Sequence, residues 1–256
     1  MKSAGTGGEQ PLMAHLLELR TRLVRALLGI VICLIPLALF AKELYEVFAA
    51  PLLALMPEGT SMIATQVISP FLTPLKLSVA LSAFVAMPWV LYQLWAFIAP
   101  GLYQNERRFA LPLLASSTLL FYSGIAFAYF LVLPTVFSFT INFAPEGVAV
   151  MTDIGQYLDF ALGLFFAFGL AFETPVAIVL LVRTGFVTPA KLASVRDYVF
   201  VGAFVVGAIF TPPDVVSQFM LAVPVYLLYE LGILVARWTT PGMKEVEAQQ
   251  AQNAKT

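Results

Sequence analysis

Long apolar runs, each near the length needed to cross a bilayer, constrain this chain more than any motif in it. About 20 residues at 1.5 Å per residue span the hydrocarbon, and Leu23–Phe40, Leu77–Ile98, Phe109–Leu133, Tyr157–Val182 and Val215–Val235 approach or exceed that. Composition agrees: 60% of the 256 residues are hydrophobic, 11% are charged, and mean hydropathy is +0.89. Soluble domains run at about 45–50% apolar and about 25% charged. The chain therefore reads as an all-α, polytopic membrane protein.

The punctuation between the runs sets the expected topology. Met13–Arg25 places Leu16, Leu19, Leu23 and Leu27 at helical spacing, with Glu18, Arg22 and Arg25 on the opposite side. This is an amphipathic entry into the first span, in which Pro36 marks a kink. Lys42–Pro74 is an outer loop, and Leu44, Val47, Phe48, Pro51, Leu52 and Leu55 predict a surface helix that stops at Pro57-Glu58-Gly59. The second span contains Pro88 and carries Trp89, Tyr92 and Trp95 toward its far end, where aromatic side chains sit at headgroup level. Pro134–Gln156 is the second outer loop, and the fourth span is interrupted at Glu173 and Pro175.

The fifth and sixth spans are expected to be the short ones. Tyr198–Phe210 supplies 13 residues, roughly 20 Å against about 30 Å of hydrocarbon. Thr-Pro-Pro-Asp at 211–214 then turns the chain back at once. Ala203 and Gly207 form a small-xxx-small pair that permits close helix approach.

Basic residues set the orientation. With the N-terminus inside, twelve Lys and Arg fall on the cytoplasmic side, and only Lys42 and Lys76 on the other. The expected organisation is a cytoplasmic segment (1–22), a six-helix domain (23–238) and a polar, disordered cytoplasmic tail (239–256), with no removable signal peptide.

Several function classes drop out. A net charge of −1 gives no reason to expect nucleic acid. One cysteine (Cys33) and one histidine (His15) leave no disulfide framework, no His or Cys metal cluster and no triad with a second histidine. Phosphate-binding loops, His-Glu-x-x-His pairs and Gly-x-Ser-x-Gly elbows are absent, so no cofactor and no enzyme are expected. No duplicated half with matching broken helices points to a secondary transporter.

The polar groups that remain are few. Phe97–Arg108 joins two spans through Pro100-Gly101 and gathers Phe97, Leu102, Tyr103, Glu106, Arg107 and Arg108. It reads as an anchored loop or as equipment for holding a partner. Glu18 with Arg22 reads as an ordinary i,i+4 pair or as a site carboxylate. Both glutamates face the cytoplasm. Glu173 lies near mid-membrane, where a carboxylate costs about 2.5–3.5 kcal/mol on insertion scales. It is either a hydrogen-bonded packing group or functional, and a proton-coupled carrier titrating there is the alternative reading. Asp214 and Gln218 share a face one turn apart, Glu230 reaches the inner interface, and Asp153 and Asp159 are solvated.

The ordered set of motifs goes further. His-Leu-x-Glu-Leu-Arg (15–20), Pro51-Leu52, Ser69-Pro70-Phe71 with Lys76, Phe97-x-x-Pro-Gly-Leu-x-x-x-Glu-Arg-Arg, Phe172-Glu173-x-Pro175 and Thr-Pro-Pro-Asp-x-x-x-Gln (211–218) occur in that order. Together, from about His15 to Trp238, they closely resemble the TatC family, the receptor subunits of the twin-arginine protein translocase. The resemblance implies a protein of the bacterial inner membrane that binds signal peptides carrying two consecutive arginines. Such a protein helps move folded cargo outward on the proton-motive force. It implies that Glu18 and Glu106 receive the arginines, with Phe97, Leu16, Leu19, Arg20 and Tyr103 around them. It further implies single-span TatA-like and TatB-like partners near Glu173, Thr211, Asp214 and Gln218, other copies of the chain, and a structural role for Pro51 in the outer loop.

Overall fold

The computed structural model describes residues 9–54, 56, 61–98, 110–143, 151–210 and 215–239. Glu106, Tyr103, Thr211 and Asp214, and the Pro100-Gly101 turn, lie outside the described residues. Two compact units emerge, Met1–Phe48 with Phe71–Thr118, and Ala49–Pro70 with Leu119–Thr256. Among the described residues the regular structure is helical, apart from one isolated bridge between Ile63 and Asp153.

The first unit is built on α1 (Glu9–Leu39), the start of α2 (Ala41–Leu53), α3 (Ser69–Val85), α4 (Met87–Ile98) and the first half of α5 (Ala110–Phe127). α1 is apolar for most of its length yet leaves Leu23, Leu27, Ile32, Ile35 and Leu39 exposed. In water such a surface would aggregate; in lipid it is the expected exterior. Only Phe40 separates α1 from α2, the surface helix, which holds Pro51 inside it and ends at Leu53 rather than at Pro57.

The second span starts earlier than its apolar run. Ser69-Pro70-Phe71 forms the first turn of α3, so Lys76 lies within the helix. Pro70 near the helix start costs nothing, because the N–H it lacks would have no intrahelical partner there. α3 and α4 meet at Ala86 with a bend of 49°. Pro88 explains the break: it cannot donate to the carbonyl of Phe84, and its ring crowds that turn.

The second unit holds the deeper core. The third span does not end before Pro134. It continues through a π turn (Ala128–Val132) into α6 (Leu133–Asn142). Pro134 removes one ladder bond, and the wider turn directly before it accommodates the ring. The fourth span is α7 (Ile154–Phe172) followed by α8 (Thr174–Arg183), interrupted at Glu173 as expected, with Pro175 restarting the helix. An unanticipated short helix, α9 (Pro189–Ser194), is capped by the Thr188 hydroxyl, which accepts from the Lys191 N–H.

α10 (Arg196–Phe210) has 15 residues and is indeed short. α11 (Val215–Thr239) has 25, so the sixth helix is not; at 1.5 Å per residue it reaches about 37 Å. Among the described residues, four helical stretches are long and apolar enough to cross a membrane, and the bent α3–α4 pair makes a fifth.

Glycines set the approaches in this unit. A Cβ on Gly124 would lie 2.5 Å from the Phe168 carbonyl oxygen, on Gly169 2.7 Å from the Phe121 ring, and on Gly232 2.9 Å from Pro175 Cα. Thus α5 with α7, and α8 with α11, pack backbone to backbone or backbone to ring. Ala203 and Gly207 behave as expected: both are buried, and a Cβ on Gly207 would meet Gln218 at 3.3 Å.

Candidate functional site

The polar site in the first unit is built from one stripe on each of two helices. On α1, His15, Glu18, Arg22 and Gly29 lie within about 60° of one another at 100° per residue. On α4, Trp89, Gln93 and Phe97 follow at i, i+4 and i+8, also on one side. Two contacts align the stripes. Phe97 stacks on His15 with ring centroids 4.4 Å apart and planes at 24°. Eight residues earlier, the Trp89 indole N–H donates to the Arg25 carbonyl at 2.9 Å. A Cβ on Gly29 would fall 2.4 Å from that indole, so only glycine lets the ring lie flat on α1. Trp89 is therefore a helix-pairing residue.

Glu18 sits one turn from His15 and is held by Arg22. The Arg22 guanidinium donates from Nε at 2.9 Å and from Nη2 at 2.7 Å, both to Oε1 of Glu18. The pair is half-buried, with side-chain exposures of 21% for Arg22 and 36% for Glu18, so solvent screens it only in part. The ordinary i,i+4 pair is therefore formed, one turn from the His15–Phe97 stack. Leu16 and Leu19 are exposed alongside. Arg20 does not join them: it lies about 200° round the helix from Glu18 and is exposed. Gln93 is 3% exposed, and among the described residues its Oε1 accepts no hydrogen bond. His15 as a stacking partner and Gln93 were not singled out from sequence. The i, i+4, i+8 spacing with Trp89 and Phe97 was the available signal.

The second unit places its polar groups differently. Asp153 is not solvated. It is 8% exposed, and one carboxylate oxygen accepts from the Thr65 N–H and hydroxyl at 2.8 and 2.7 Å. The other caps α7 by accepting from the Gly155 and Gln156 N–H groups. The Thr65 hydroxyl first, and then these backbone donors, hold its pKa at about 2 against an ordinary 3.8. Two backbone bonds, Ile63 N–H to Thr152 O and Ile154 N–H to Ile63 O, complete the clasp. Pro51 lies nearby in sequence and, with Leu52, Leu133, Pro134, Phe137 and Tyr157, lines a small apolar cavity.

Glu230 does not simply reach for the interface. It pairs with Arg196 at the start of α10, at 2.6–2.7 Å through both carboxylate oxygens. Gln218 donates from its amide to the Phe204 carbonyl at 2.9 Å, pinning α11 to the short α10. Glu173 is half-buried at the α7–α8 junction, where its carbonyl accepts from the Ala177 N–H. Among the described residues, no group of three or more His, Cys, Asp or Glu could hold a metal ion.

Comparison with known proteins gives one answer. The family model described as Sec-independent protein translocase protein (TatC) matches residues 14–224. The chain is similar to the Sec-independent protein translocase protein TatC of Azotobacter chroococcum mcd 1, with 58% identity over 225 residues, 88% of either chain. It is similar also to that of Haemophilus influenzae, with 54% identity over 232 residues, 91% of either chain. The crystal structure of the twin arginine translocase receptor TatC matches with a TM-score of 0.79 and 40% identity, over 88% of this chain and 99% of that one.

Proposed function

The chain belongs to the TatC family, and from that premise we propose that it is the signal-peptide receptor of its translocase. Membership makes it a polytopic component of the twin-arginine translocase and not an enzyme. The proposal is that two consecutive arginines dock at Glu18 and Glu106 on the cytoplasmic face of the bacterial inner membrane, with both termini on that side. The observation that carries it is the half-buried Glu18 carboxylate one turn from the His15–Phe97 stack. A guanidinium matches a carboxylate as a planar fork and stacks on aromatic faces, which a lysine ammonium cannot do. Exposed Leu16 and Leu19 suit an apolar side chain following the arginines.

Partners follow the same reading. TatA-like and TatB-like single-span subunits dock beside α10, whose Val201, Val205 and Ile209 are exposed at i, i+4 and i+8. A helix of 15 residues leaves a low wall there. Thr211, Asp214 and Gln218 supply polar contacts to the partners, and Glu173 supplies a polar group toward partner helix or peptide. Other copies of the chain complete the assembly, and the proton-motive force drives it.

The test is binding of a synthetic Arg-Arg signal peptide to the purified protein in nanodiscs, against a Lys-Lys control. Glu18→Ala or Glu106→Ala should weaken Arg-Arg binding by about tenfold or more, since removing one partner of a hydrogen-bonded charge pair costs about 2 kcal/mol at the low end. Unchanged binding by both single variants and the double variant would remove the site.

A further inference from the structure

We propose that Arg22 is an internal ligand of the recognition site: it neutralises Glu18 while the site is empty and shifts to Gln93 when a peptide guanidinium takes its place. The inference rests on the receptor reading above and adds the residue that sets its specificity. Arg22 lies seven residues from His15 and seven from Gly29, on the same side of α1. Gln93 lies four residues from Phe97 and four from Trp89, on the same side of α4. Phe97 meets His15 and Trp89 meets Gly29, so Arg22 and Gln93 each lie between the two contacts, on the paired sides of α1 and α4. Between those contacts Gln93 is 3% exposed, and among the described residues its Oε1 has no donor. A buried acceptor without a donor is rare, and on the paired stripe of α1 the Arg22 guanidinium donates from Nε and Nη2 to a single oxygen of Glu18.

The arrangement filters cations by chemistry. With Arg22 in place, Glu18 presents little net charge, so a compact, strongly hydrated ammonium gains too little to shed its water. A guanidinium is less hydrated, keeps its fork geometry and stacks on the Phe97–His15 rings. It can therefore displace an i,i+4 pair, which is weak where partly exposed. Once displaced, Arg22 takes Gln93 Oε1 as its acceptor. The exchange keeps every charge hydrogen-bonded and leaves no buried ion unpaired.

The experiment measures Arg-Arg and Lys-Lys peptide affinities for the full chain in nanodiscs, across a double-mutant cycle of Arg22→Gln and Gln93→Leu. Arg22→Gln should raise Lys-Lys affinity by about threefold to tenfold and change Arg-Arg affinity less, so the preference falls. Arg22→Lys keeps the charge and should keep the preference. Gln93→Leu should weaken Arg-Arg binding by about threefold to tenfold when Arg22 is present and have no effect in the Arg22→Gln chain. If Gln93→Leu does not fold, Gln93→Met takes its place. A preference undiminished by Arg22→Gln, or a Gln93 effect equal in both backgrounds, overturns the inference alone. Absence of any Arg-Arg preference in the native chain overturns the receptor reading and the inference with it.

Discussion

α1 and α7 are both long and apolar, yet they hold their places by opposite means. α7 buries nine residues, among them Tyr157, Leu158, Leu164 and Phe168, and its neighbour α5 comes within backbone contact at Gly124. α1 offers most of its apolar side chains to the surroundings and is held to α4 by a narrow stripe: one ring stack, one indole hydrogen bond and one glycine seat. A helix stabilised by lipid over most of its circumference can devote its single protein-facing stripe to polar chemistry. A helix in the core cannot, because each uncompensated polar group there costs about 1–3 kcal/mol. The proposed recognition carboxylate Glu18 lies on the first kind of helix.

Substitutions at glycine would test this contrast most severely. Gly124→Ala drives a Cβ into the Phe168 carbonyl, a backbone atom that cannot swing aside. It should destabilise the protein by about 1–3 kcal/mol, read as a lower melting temperature in detergent. Gly29→Ala meets first the Trp89 ring, which can rotate away at the loss of its bond to Arg25. A cost of about 1 kcal/mol is expected, together with a red shift of Trp89 fluorescence. Equal losses at the two sites would mean that α1 is as tightly held as α7.

Acid should separate the two regions next. The depressed pKa of Asp153 means that its contribution to stability is present above the ordinary value of 3.8 and is lost as pH falls through about 2. The native chain should therefore melt at lower temperature across that window. Asp153→Asn should melt lower at neutral pH and lose that pH dependence. An Asp153→Asn profile parallel to the native one would show that the clasp is not what acid releases.

The smallest effect is expected at Gly202 in α10, where an added Cβ meets nothing within 4 Å. Gly202→Ala should stabilise the protein by about 0.5–1 kcal/mol through helix propensity alone. A loss there would show that a neighbouring helix occupies that face in the sample measured.

Much of the architecture was legible because a bilayer admits few solutions. Apolar length, the proline and acid at 173–175, the short run at 198–210 and the Ala203–Gly207 pair each mark a physical need that sequence displays directly. Element ends were less legible. Ser69-Pro70-Phe71 and Pro134 read as loop, because proline suggests a stop. A proline at a helix start or after a π turn is accommodated, and only the surrounding packing tells those cases apart. At the candidate site, Glu18 and Phe97 stood out by motif; His15 opened the same motif but was not read as a stacking partner, and Gln93 was not singled out.

The sequence by itself determined that the chain is a membrane-spanning helical protein of the TatC type. Hydrophobic length, charge asymmetry and motif order are one-dimensional properties that need no partner residue to be read. Only the tertiary structure decided who pairs with whom. Asp153 reaches Thr65 across 88 residues, Arg196 reaches Glu230 across 34, and Trp89 reaches Arg25 across 64. The reason is physical: a side chain's charge and size are written at its own position, but its burial and hydrogen-bond partner belong to the other end of a contact that folding alone creates.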